Sequence, residues 1–177
     1  MDDAIFEEVA NEIKGLNNQT IRLISQGNFD EAEAVCKRAL KTAETLSYYD
    51  GMAMFFFNLA NLEILKDDLL KAMTYGALSM EMHEKAQTDM ENCAKLMRNL
   101  AKTAMKKGME HERKGEFKEA LEYYYAGVPF SEEKYRQAML KEIELIERVT
   151  DNGQRINGES DDTPKRTGNG GNPPEEL

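Results

Sequence analysis

The chain has no tryptophan, two cysteines, two histidines and four prolines in 177 residues. The missing tryptophan and an aromatic share of 8% argue against a ligand pocket walled with rings. Cys36 and Cys93 are too few for a disulfide framework and lack the paired spacing of a zinc site, which suits a reducing, cytoplasmic setting. Long apolar runs are missing too. The longest, Met52 to Phe57, falls far short of the roughly 20 residues a membrane-spanning helix needs. The first residues, Met1-Asp2-Asp3-Ala4-Ile5-Phe6-Glu7-Glu8, place no positive region before an apolar stretch and do not read as a signal peptide. Basic residues are outnumbered 23 to 33, giving a net charge of -10 that disfavours nucleic acid and anionic membrane surfaces as partners.

What the chain does have is helical periodicity. Up to Val149 there is one proline, Pro129, and strand-like alternation is absent. Ile5, Val9, Ile13, Leu16 and Leu23 fall on one helical face, with Asn17 and Asn18 as a place where that helix loosens. A second helix carries Ala32, Cys36, Ala39 and Ala43, and a third carries Met52, Phe55, Leu59 and Leu62. A fourth begins near Leu69, and a long fifth spans Thr88 to Lys114 with Cys93, Met97, Leu100, Ala104, Gly108 and His111 inward. After a short sixth helix, Ser131-Glu132-Glu133 reads as the capped start of a seventh presenting Tyr135, Ala138, Met139, Ile143 and Ile146. From residue 150 the composition turns to Asn, Gly, Asp, Glu, Thr and Pro, so the reading is a helical domain over 1–149 and a disordered acidic tail over 150–177. Eleven methionines supply soft, adaptable filling.

Chemistry is hard to assemble from these residues. Nucleophilic catalysis needs a base and an orienting group, and only His83 and His111 offer an imidazole. His111 reads as a partly buried side chain hydrogen-bonded within a helix pair, and His83 as solvated. Neither histidine has a Glu three residues before it, so the di-iron pattern is missing. Met80, Met82 and His83 have donors that suit Cu(I), but methionine as core filling is the weightier reading. The expectation is a non-enzymatic protein with no cofactor.

Two stretches repeat: Gly27-Asn28-Phe29-Asp30-Glu31-Ala32 and Gly115-Glu116-Phe117-Lys118-Glu119-Ala120, each between two helical segments. Glycine makes the turn, phenylalanine plugs the crotch of the helix pair, and alanine lets the backbones approach. With Ala39, Gly108 and Gly127 at the small-residue positions, and Asn58-Leu59-Ala60, Leu69 and Ala72 as a less regular middle unit, the chain resembles the tetratricopeptide repeat over residues 10–128. Its Ala32-to-Ala72 and Ala72-to-Ala120 intervals of 40 and 48 residues exceed that family's repeat of about 34. Residues 100–149 also resemble the microtubule-interacting-and-trafficking domain, a three-helix peptide-binding bundle.

The first resemblance implies an all-α superhelix of about three antiparallel helix pairs with a C-terminal capping helix. It also implies a scaffold or adaptor that holds a peptide in a concave groove. Tetratricopeptide proteins that hold the C-terminal carboxylate of chaperones use Lys and Asn in the first pair, Asn in the second, and Lys and Arg in the third. Asn58, Lys102 and Lys106 match the last three places, with Lys for Arg at 106, while Asn17 and Ile21 stand at the first two. Independently, Lys95, Arg98, Lys102, Lys106 and Arg113 fall within an arc of about 80° of the fifth helix at 100° per residue. The expected peptide-binding set is therefore these five cations with Asn58, Asn61 and the ring of Phe57, and the ligand an acidic peptide or C-terminus. The tail, ending Pro173-Pro174-Glu175-Glu176-Leu177, is the expected internal competitor. The alternative is a structural role, with a homodimer formed through Met- and Phe-rich faces.

Overall fold

The computed structural model describes residues 3–158, with side chains from 7 to 151. Among them are seven α-helices and no strand: α1 (Asp3–Ser25), α2 (Phe29–Thr45), α3 (Tyr49–Leu65), α4 (Leu69–Ala86), α5 (Glu91–Arg113), α6 (Phe117–Gly127) and α7 (Glu133–Gly158). A single 3-10 turn, Val128–Phe130, joins the last two. Each helix packs on its neighbours in the chain, so α1/α2, α3/α4 and α5/α6 form three hairpins capped by α7, an all-α helical superhelix.

The turns explain the spacing. Gly27, Ser47, Asp67, Gln87 and Gly115 all adopt left-handed backbone, with φ of 77°, 53°, 60°, 57° and 77°. At each, the following N–H reaches back five residues: Asn28 to the Leu23 carbonyl at 2.9 Å, Tyr48 to Ala43 at 2.8 Å, Asp68 to Glu63 at 2.9 Å, Thr88 to His83 at 3.1 Å and Glu116 to His111 at 3.0 Å. This closure satisfies carbonyls that a helix end leaves free. The first four left-handed residues are 20 positions apart, so one hairpin repeats every 40 residues and its helices exceed those of the family standard. After Gln87, the longer α5 stretches the next interval to 28 residues.

Three cores follow one another along the array. The first joins Ile13, Val35, Cys36, Phe55, Leu59 and Leu62 with Met82, the second joins Met73 and Leu69 to Cys93, Met97 and Leu100, and the third joins Ala120 and Tyr124 to Met139, Ile143 and Ile146. Ala32, Ala72 and Ala120, the small residue of each turn motif, are fully buried, and Phe29 and Phe117 pack half-buried beside them. Because α3 packs on both helices of the first hairpin and on its own partner α4, it is buried on several sides, and even Glu63 is 1% exposed.

Some boundaries differ from the sequence reading. α1 runs unbroken through Asn17 and Asn18, because Asn17 is occupied by a partner on α3 rather than by its own backbone. α5 begins at Glu91, not Thr88, since Gln87 has already closed α4 and Asp89 accepts the Glu91 N–H at 2.9 Å. α7 is continuous across Val149 and ends at Gly158. Residues 159–177, and with them the C-terminal segment expected to compete for the groove, lie outside the described residues.

Candidate functional site

α5 and α7 run side by side and leave a groove of about 330 Å³ lined by Lys102, Met105, Lys106, Met109 and Tyr135. Its floor is methionine, which adapts to varied apolar shapes. Lys102 lies 3.3 Å from Glu132 and its Nζ sits 5.5 Å from the centroid of the Tyr135 ring, a cation–π distance. Lys106, one turn on, is exposed and has no ion-pair partner among the described residues.

The other cations of the stripe spread along α5. Lys95, Arg98 and Arg113 are exposed and, among the described residues, make no ion pair. Arg98 lines a neighbouring cleft with Met97, Phe130 and Arg136, whereas Arg113 lines a third with Met109, Glu112 and Glu142. The structure thus brings Lys102 and Lys106 together at one groove and sets Arg98 and Arg113 on either side.

The α3 residues are engaged elsewhere. Asn58 is 8% exposed and its Nδ2 donates to Asn17 Oδ1 at 2.7 Å, a polar link between α1 and α3. Asn61 Nδ2 donates to the Phe57 carbonyl of its own helix at 3.0 Å. Phe57 is half-buried and packs against the second core. The groove that Lys102 and Lys106 rim is not lined by any of these three.

The imidazoles are held by neighbours. His111 stacks on Tyr123 with centroids 5.3 Å apart, and its Nδ1 lies 2.6 Å from Glu116 Oε2, an arrangement within one hairpin. His83 lies at the surface, its Nδ1 2.8 Å from Thr88 Oγ1 in an exposed hydrogen bond. Met82 belongs to the first core and Met80 packs on the second, so those two thioethers do not converge with His83. Both thiols are buried, and burial pushes Cys36 up to about 11 and raises Cys93. Below the third cleft, Tyr124 is fully buried and its hydroxyl donates to Glu112 Oε2 at 2.8 Å; burial first, then that carboxylate, keeps the phenol protonated.

Sequence reasoning missed Tyr135 as a groove residue, Glu132 as the ion-pair partner of Lys102, and Met105 and Met109 as the groove's floor. The helical angle of Met105 and Met109 beside the cationic stripe was a usable signal. Nothing in the sequence placed the first turn of α7 against the middle of α5.

No family model matches the chain. It is similar to Protein STIP1 homolog of Dictyostelium discoideum, with 30% identity over 135 residues, covering 69% of this chain and 24% of that protein. The chain spans about a quarter of the length of this curated relative. That likeness and the helical architecture are together consistent with tetratricopeptide-like repeats. Among the described residues, no helix is long and apolar enough to cross a membrane.

Proposed function

We propose that the chain is a protein-interaction adaptor that receives an acidic peptide segment in the groove between α5 and α7. The observation that carries this reading is the state of the cationic stripe. In a chain with ten more acidic than basic residues, four of the five stripe cations have no ion-pair partner among the described residues. Two of the five rim a methionine-floored groove that offers an apolar contact beside the charge. A ligand of the opposite sign gains from both features, the charge steering it and the thioethers packing its side chains. Similarity to a tetratricopeptide-like pattern supports the same reading, and so does the resemblance of residues 100–149 to a peptide-binding three-helix bundle.

Asn58 and Phe57 serve this function through the scaffold: the Asn17–Asn58 bond fixes α1 against α3, while Phe57 ties α3 to the second core. The direct contacts are Lys102 and Lys106, with Lys95, Arg98 and Arg113 as the surrounding field. Self-association through Met- and Phe-rich faces receives less support, because Phe55 is fully buried, Phe56 and Phe57 pack in cores, and Met73, Met97 and Met139 are buried.

The test is titration of a fluorescein-labelled acidic octapeptide, read by anisotropy, against wild type and the Lys102→Glu, Lys106→Glu double variant. Loss of at least tenfold in affinity, with wild-type binding weakening as salt rises, is the expected result. Equal binding by both proteins would remove the groove from the function.

A further inference from the structure

One of the two cations that rim the groove is already paired with an acid of the protein's own, Glu132, which lines the neighbouring cleft beside Arg98. Glu132 precedes the first turn of α7 and its carboxylate lies 3.3 Å from the Lys102 ammonium, at the end of the groove where Tyr135 faces the same cation. Lys106, four residues along α5, has no carboxylate partner among the described residues. The two ammonium groups that rim the groove are therefore unequal: one is open and the other is held from within.

We infer that Glu132 is an internal stand-in for one ligand carboxylate, so that the groove selects peptides bearing two acids on alternate residues, the second of which displaces Glu132 from Lys102. The inference rests on the acidic-peptide reading of this groove. Its register follows from helix and strand geometry. Residues four apart on a helix are about 6 Å apart along its axis, and alternate side chains of an extended peptide are about 6.6 Å apart on one face. An extended ligand laid along α5 thus presents acids at i and i+2 to Lys106 and Lys102. The first acid meets a free cation. The second meets an exposed ion pair, which is weak enough to exchange.

Displacement is feasible for both partners. The side chains of Lys102 and Glu132 are 43% and 55% exposed, so the released carboxylate returns to water without passing through the core. Glu133, the next residue and the first of α7, supplies an internal control: it carries the same charge, but pairs with Arg136 at 3.2 Å instead of with Lys102.

The experiment uses the full chain and two labelled octapeptides, one with glutamates at alternate positions and one in which the second glutamate is glutamine. In Glu132→Gln, the two-glutamate peptide should bind about threefold more tightly, the scale of an exposed ion pair. The one-glutamate peptide should bind as it does to wild type. Glu133→Gln should change neither. Both substitutions are at exposed positions, and circular dichroism checks that the helices persist. No gain in Glu132→Gln, or an equal gain in Glu133→Gln, overturns the inference. Failure of the groove reading itself looks different, since Lys106→Glu would then bind both peptides as well as wild type.

Discussion

At the scale of single residues, the closest approaches decide what the chain tolerates. A Cβ added at Gly108 would lie 2.5 Å from Cε1 of Tyr124, a fully buried ring held by its bond to Glu112, so the ring has little room to give. Gly108→Ala should therefore destabilise by about 1–3 kcal/mol. Gly15 sits in α1 with nothing within 4 Å of such a Cβ, and there the same replacement should stabilise by about 0.5–1 kcal/mol through lower backbone entropy in the unfolded chain. Urea unfolding of both variants measures the opposite signs. Charge has its own local rule at Glu33, whose carboxylate accepts from Lys37 and Lys66. These hydrogen bonds hold it down to about 2 from an ordinary value of 4.5, so the folded state favours the charged form. Its contribution is present in full above about 4.5 and is lost as pH falls towards 2. The gap in urea midpoint between wild type and Glu33→Gln should narrow across that window.

At the scale of elements, the five left-handed turns carry a cost that differs with the residue. Glycine adopts this backbone freely, whereas residues with a Cβ are disfavoured there by about 1–2 kcal/mol. Gln87→Gly should stabilise by up to about 1 kcal/mol, and Gly27→Ala should destabilise by a similar amount. For a chain of this size each appears as a shift of roughly 2–4 °C in melting temperature. The same turns show why the array was only partly legible. Gly27 and Gly115 announce themselves beside a Phe-x-x-Ala pattern and Asp67 has the mild left-handed preference of aspartate, but Ser47 and Gln87 give no local sign of φ above zero. The helices around them were still found, because their apolar residues keep a helical period whatever residue closes the turn. The even 20-residue spacing was hidden, since it is carried by four residues of four different types. α5 shows the complementary case: its buried stripe and its cations separate cleanly by angle, so both faces were readable before any packing was known.

At the scale of the whole molecule, the three cores in series make stability a matter of neighbours rather than one shared interior. Met139 is fully buried where α7 meets α6. Met139→Ala should cost about 2–5 kcal/mol, and hydrogen exchange followed by mass spectrometry should show protection falling first in α6 and α7 while α2 and α3 keep theirs. A uniform loss along the chain would mean that the cores melt as one. The candidate site was half legible for the same reason. Lys102 and Lys106 could be paired by helical angle alone, but Tyr135 and Glu132 arrive from another helix, and the docking of that helix is decided by the third core. Asn58 was matched to a ligand position by pattern, yet the approach of α1 gives it a partner 41 residues earlier in the chain. One consequence of the five tight turns concerns speed. Each turn sets a newly formed helix directly beside the next one, so most native contacts link segments near each other in the chain and little entropy is spent closing long loops. Such low contact order belongs to chains that fold in microseconds to milliseconds, and stopped-flow dilution from urea should find most of the helical signal regained within the first tens of milliseconds.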